Sequence, residues 1–283
     1  MLTQPSRKQV LVLLVVLAVA GLAGPPAMGQ PRPATQPQGQ TLMGETPATQ
    51  PAEPLRITSR MIDRPDEIVA TLSNGMRVIV KQYKVAPIVS VRMYVRTGSI
   101  YEDPRLGSGL SHLFEHLLSG GTTETRSEAE SRELLLKIGG DTNAYTTYDH
   151  TAYYINTASK YLDTAVDLLS DWITRATFPD EEFNRELEVV QRELERSADD
   201  PETQLHYLTM RMVFQDHPAQ FPVIGYKEAI QTLTKEDVVN YWRNRYIPDN
   251  VTVSICGDVD VEQALQIVLK YFADFKRRPL NMV

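Results

Sequence analysis

An α+β fold, with helices packed on a mostly antiparallel sheet, is predicted by three features of the 283-residue sequence. The stretch EIVATLSNGMRVIVKQY holds two alternating apolar runs around Asn74-Gly75, the strongest short signal for a hairpin. DTNAYTTYDHTAYYINT repeats the pattern, with a turn near Tyr148-Asp149. From Ser159 to Phe214 the apolar period becomes helical, in three segments broken at Pro179 and Pro201.

The elements follow in order. Residues 1–29 carry Arg7 and Lys8, an apolar run from Val10 to Ala23 and small residues at Ala27 and Gly29, which reads as a signal peptide and predicts export. The run is short for a membrane span, so a membrane enters only if this segment stays uncleaved as an anchor. Residues 30–54 hold six prolines and few apolar residues, the composition of a flexible linker. The folded domain is expected over 55–283. After the first hairpin, PIVSVRMYVRTG predicts a third strand. Residues 109–119 form a helix, and SEAESRELLLKIGG a second one, with a capping box at Ser127 and Glu130 and a stop at Gly139-Gly140. Asp180 reads as the N-cap of the second helix within 159–214. A helix over Thr234–Tyr246, the strand NVTVSIC and a helix over Val261–Phe275 close the domain.

Charge and thiol content narrow the function. The formal charge is −7, and removal of residues 1–29 leaves −9, which disfavours nucleic acid as a partner. The single cysteine, Cys256, excludes an internal disulfide and reads as a small buried apolar residue.

The chemistry concentrates in GLSHLFEHLLSGGT. At 3.6 residues per turn, Leu110, Leu113, Phe114, Leu117 and Leu118 form one apolar stripe. His112, Glu115, His116 and Ser119 form a second, and no Lys, Gln or Arg lies between Gly107 and Thr122. Histidines at i and i+4 stand one above the other, close enough to hold one ion. A catalytic zinc needs about three protein ligands, so a third must come from elsewhere. In PDEEFNRELEVVQRELERSADDP, the glutamates Glu186 and Glu193 border the apolar stripe of Phe183, Leu187, Val190 and Leu194, whereas Glu181, Glu188 and Glu195 point towards solvent. The physics of the helix alone leaves Glu186 and Glu193 about equal.

These stretches resemble the pitrilysin and mitochondrial processing peptidase family of zinc metallopeptidases. That family carries an inverted H-x-x-E-H motif and a further glutamate after about 76 residues. Here Glu193 stands at that spacing from His116, and NAYTTYDHTAYY, ELEVVQRE and YIPDNVTVSICGDVD are similar to the segments around it. The resemblance covers about residues 65–275. It implies one zinc per chain held by His112, His116 and Glu193, with Glu115 as general base for a zinc-activated water. It also implies that Glu186 orients a ligand histidine, and that Asn143 and Ala144 lie on an edge strand that binds the backbone of a peptide substrate. Family members contain two similar halves, and this chain matches the N-terminal one. A homologous subunit or a second copy is therefore expected to supply the missing half. A non-catalytic partner or scaffold subunit on the same fold is the alternative.

Overall fold

In a computed structural model, residues 53–278 are described. The expected signal peptide and nearly all of the linker lie outside them. Seven strands form one sheet: β1 (Ile57–Arg64), β2 (Glu67–Leu72), β3 (Arg77–Gln82), β4 (Ile88–Val95), β5 (Asp141–Thr146), β6 (Thr151–Ala158) and β7 (Val251–Gly257). Their spatial order is β1-β2-β3-β7-β4-β6-β5. Every pairing is antiparallel except β3 with β7. The expected α+β fold is what the chain adopts. The helices are α1 (Leu110–Leu118), α2 (Glu128–Lys137), α3 (Leu162–Arg175), α4 (Asp180–Ala198), α5 (Pro201–Val213), α6 (Lys227–Ile230), α7 (Lys235–Arg245) and α8 (Val261–Tyr271). None of them is long and apolar enough to cross a membrane.

Strand alternation builds the core. Val78 and Val80, Val89, Val91, Met93 and Val95, and Val253 and Ile255 all turn to one buried face. There α3 packs on β4 and β6, and α8 packs on β3 and on α3. The opposite face is wetter: Arg92 stacks over the Tyr154 ring at 4.6 Å. The same alternation corrects the reading of Cys256. Val251, Val253 and Ile255 take the core side, so Cys256 falls on the other face and is exposed.

Two further expectations shift, and two elements are new. Asp180 is not the N-cap of α4; Pro179 holds that position, and Asp180 sits in the first turn, where it pairs with Lys235 at 2.6 Å. The last helix ends at Tyr271, a turn earlier than expected. Strand β1 and the single turn α6 were not expected at all. The capping box at Ser127 and Glu130 is present with both of its bonds.

Candidate metal centre

The site begins with how α1 is held. Its apolar stripe is buried, with Leu113 and Phe114 fully enclosed and the Phe114 ring 4.4 Å from that of Tyr246. Burying one such side chain stabilises the fold by about 1.5–3 kcal/mol, which fixes the roll of the helix and hence the direction of its other stripe. The N-cap is Gly109, at φ 73°, with no side chain to bond the first turn. A Cβ there would lie 2.1 Å from the Ile224 carbonyl oxygen, so the position excludes every side chain that could cap.

Glu102, fully buried, replaces the missing cap from the preceding loop. Its Oε1 accepts from the Ser111 backbone N–H at 2.8 Å and from Ser111 Oγ at 2.6 Å. Burial pushes this carboxyl up to about 7, against the lowering pull of its bonds to Ser111, Leu110 and Gly109. A folded value above the ordinary 4.5 means that the folded state binds the proton more tightly. The stability this group contributes is therefore complete below about pH 4.5 and is lost as the pH rises through about 7. Unfolding measurements across that window are expected to show a smaller loss of stability for Glu102→Gln than for the parent chain. Equal losses would refute this account of Glu102.

The polar stripe of α1 faces α4 and the edge strand β5. The structure brings together the residues that the sequence pointed to. Glu193 Oε2 lies 3.7 Å from His112 Nε2 and 3.6 Å from His116 Nε2. The donor atoms of these three residues all fall within 4.8 Å of one another. Zinc bonds of about 2.0–2.2 Å in tetrahedral geometry place ligand atoms roughly 3.3–3.6 Å apart, so the donor set fits such an ion. Burial, with His116 adding to it, pushes the His112 imidazole down to about 4, which keeps it neutral and able to donate a lone pair at neutral pH. For His116, burial lowers the value but Glu186, Glu193 and Glu115 together outweigh it and raise it.

Glu186 sits on the other nitrogen of His116, with Oε2 3.4 Å from Nδ1. Its own value is lowered by the hydrogen bond to His116, in spite of burial, with help from Arg185. Arg185 Nε donates to Glu186 Oε1 at 3.0 Å, and its Nη2 donates to Glu128 at 2.9 Å. The Nδ1 of His112 is buried and has no hydrogen-bond partner among the described residues.

Glu115 is 9% exposed and lines the same cleft, a space of about 410 Å³ that the two histidines, Glu186, Glu193, Asn143 and Ala144 also border. Burial raises its carboxyl above the usual range, and Glu193 adds to that; Thr146 and His116 pull the other way. Thr146 Oγ1 donates to Glu115 Oε2 at 2.6 Å. Thr146 was not singled out in the sequence; only its place two residues beyond Ala144 in an alternating strand puts it on the Ala144 side. β5 is the last strand of the sheet, and the Ala144 N–H donates to Asn143 Oδ1 at 2.9 Å. The three remaining histidines stand apart: His150 bonds Asp149 and Thr147 near the β5–β6 turn, His206 Nε2 lies 3.3 Å from the Tyr148 hydroxyl, and His217 Nδ1 accepts from the Ala219 N–H at 3.1 Å.

Residues 77–226 match the family model described as insulinase (peptidase family M16), and residues 232–281 match one described as the peptidase M16 inactive domain. A protein of Bacillus subtilis named as an uncharacterised zinc protease is 28% identical over 208 residues, 74% of this chain and 50% of its own length. The crystal structure of a protease from Helicobacter pylori superposes with a TM-score of 0.71 at 26% identity, over 78% of this chain and 53% of that one. The periplasmic protease PqqL of Escherichia coli shares the fold, with a TM-score of 0.71 at 23% identity, over 80% of this chain and 26% of that one. The chain spans about half the length of the curated relatives it matches.

Proposed function

The chain belongs to the insulinase, or M16, family of peptidases, and on that premise we propose that residues 55–283 are the zinc-holding half of an endopeptidase acting on peptides or unfolded polypeptides. The observation that carries this reading is the convergence of His112, His116 and Glu193 on one point, with the Glu115 carboxylate in the same cleft.

His112 and His116 through Nε2, and Glu193 through Oε2, would hold one zinc ion. Zinc held there supplies Lewis acidity at the scissile carbonyl and lowers the cost of deprotonating water. The other tasks fall to the chain's own groups. Glu115 takes a proton from the attacking water at one carboxylate oxygen and later delivers it to the leaving amine nitrogen. Its raised pKa suits a group that must both accept and release a proton, and Thr146 fixes the carboxylate while it does so. Glu186 orients His116 through Nδ1. The free edge of β5 at Asn143 and Ala144 would take the substrate backbone as an added strand, which favours extended peptides over folded ones.

Relatives of about twice this length suggest that a second, homologous half completes the chamber, whether as further chain, a partner subunit or a second copy. Export fits the apolar segment at Val10–Ala23 and the periplasmic location named for the E. coli protease. The second reading, a non-catalytic scaffold subunit, draws on the match of residues 232–281 to a domain described as inactive. One experiment separates the two: purify the full chain alone and with a co-expressed homologous half, then measure bound zinc and peptide cleavage. Bound zinc with cleavage in the assembly supports the peptidase; a chain that takes up no metal and leaves its partner's activity unchanged when Glu115 is replaced supports the scaffold.

A further inference from the structure

The two helices that carry the donor set are distant in sequence, so their relative register has to be fixed by side chains. Glu182, which lines one end of the cleft, and Thr122, which does not, do this together. Thr122, in the turn after α1, donates its N–H to Glu182 Oε2 at 3.0 Å and its Oγ1 hydrogen to Glu182 Oε1 at 2.5 Å. The same Oγ1 accepts from the Glu128 N–H, the first residue of α2, at 3.1 Å. The Thr122 carbonyl accepts from the N–H and the hydroxyl of Thr177, just before α4, both at 3.1 Å. Every polar atom of Thr122 is therefore engaged. The turn is tight enough to require glycine before it, since a Cβ on Gly121 would lie 2.1 Å from the Leu117 carbonyl oxygen.

Glu182 lies in the first turn of α4, four residues before Glu186 and eleven before Glu193. At about 100° per residue these three glutamates fall within roughly 40° of one another around the helix axis. One face of α4 thus meets α1 at three levels. Glu182 grips the turn at its C-terminal end, Glu186 takes His116 Nδ1, and Glu193 faces both Nε2 atoms.

We propose that Glu182, acting through Thr122, is a positioning residue for the metal centre: it locks the register of α4 against α1 and so sets how far Glu193 stands from His112 and His116. The proposal rests on the zinc reading above. A general loop-stabilising role is distinguishable, because the same loop has a second anchor that leads elsewhere. Asp171, 1% exposed, accepts from Thr123 Oγ1 at 2.6 Å and from Thr125 Oγ1 at 2.7 Å, and it belongs to α3, which holds no donor.

The test uses the full chain and zinc alone, with affinity read by competition against a chromophoric chelator and stability by thermal unfolding of the metal-free protein. Glu182→Ala and Thr122→Val are each expected to weaken zinc binding about tenfold, the scale seen when a supporting group around a metal ligand is lost. The double variant should be no weaker than either single one, since both remove the same link. Thr122→Ser should bind zinc like the parent. Thr125→Val should lose stability while keeping zinc affinity. Parent-like affinity in Glu182→Ala and Thr122→Val, or equal affinity losses in Thr125→Val, would overturn the register role while leaving the zinc site standing. A parent chain that bound no zinc would overturn the metal reading, and this one with it.

Discussion

Glu115→Gln is expected to keep zinc and to cut peptide turnover by about a thousandfold in the assembly that cleaves peptide, within the range by which positioned acid–base groups accelerate reactions. The substitution is nearly isosteric, and an amide oxygen can still accept from Thr146 Oγ1, so the cleft should keep its shape. Only the ability to take a proton is removed. The four other carboxylates lining the cleft are already engaged: Glu193 faces both Nε2 atoms, Glu186 is held by His116 Nδ1 and Arg185, Glu182 by Thr122, and Glu128 by Arg132 and Arg185. Metal analysis beside kcat on a fluorogenic peptide gives the two readouts. Turnover at the parent rate would show that another group is the base, whereas loss of zinc together with turnover would move Glu115 into the donor set.

The centre was partly legible in the sequence, and the legible part has a physical reason. Helix α1 writes both of its faces within one short segment, so the buried leucines identify where His112, Glu115 and His116 must point. The hairpin at Asn74-Gly75 and the capping box at Ser127 and Glu130 are local chemistry of the same kind. The choice between Glu186 and Glu193 was not local. Both border the apolar stripe of α4, and only the spacing shared with the family favoured Glu193; the structure then puts them on opposite nitrogens of His116. Glu102, Thr146 and Glu182 were illegible because each acts on α1 from a loop or an element far along the chain. Strand β1 was hidden for a different reason. It is an edge strand with mostly exposed residues, so no apolar alternation marks it. The parallel pairing of β3 with β7 joins segments separated by nearly all of the helices, and no local pattern encodes it.

The choice among the glutamates of α4 leads to the second large effect. Glu193→Ala is expected to lower zinc affinity by at least about a hundredfold, and Glu188→Ala to leave it unchanged. Without Glu193 two neutral imidazoles remain, short of the three protein ligands a catalytic zinc requires and without the anion that offsets its charge. Glu188 is on the same helix but its side chain is 73% exposed, and its ion pair with Arg192 spans 3.8 Å, the kind of surface contact that contributes little. Glu186 should fall between them. Its carboxylate holds His116 by Nδ1 rather than facing the donor atoms, so its loss should loosen the imidazole and cost about tenfold. The predicted order of loss is thus Glu193, then Glu186, then Glu188, and equilibrium competition with a chelator measures all three. If Glu186→Ala instead lost more affinity than Glu193→Ala, the metal would have to lie on the Nδ1 side of His116. Glu193 would then be the supporting group, and the cleft chemistry would need to be rebuilt on the Nδ1 side of His116, where Glu186 stands.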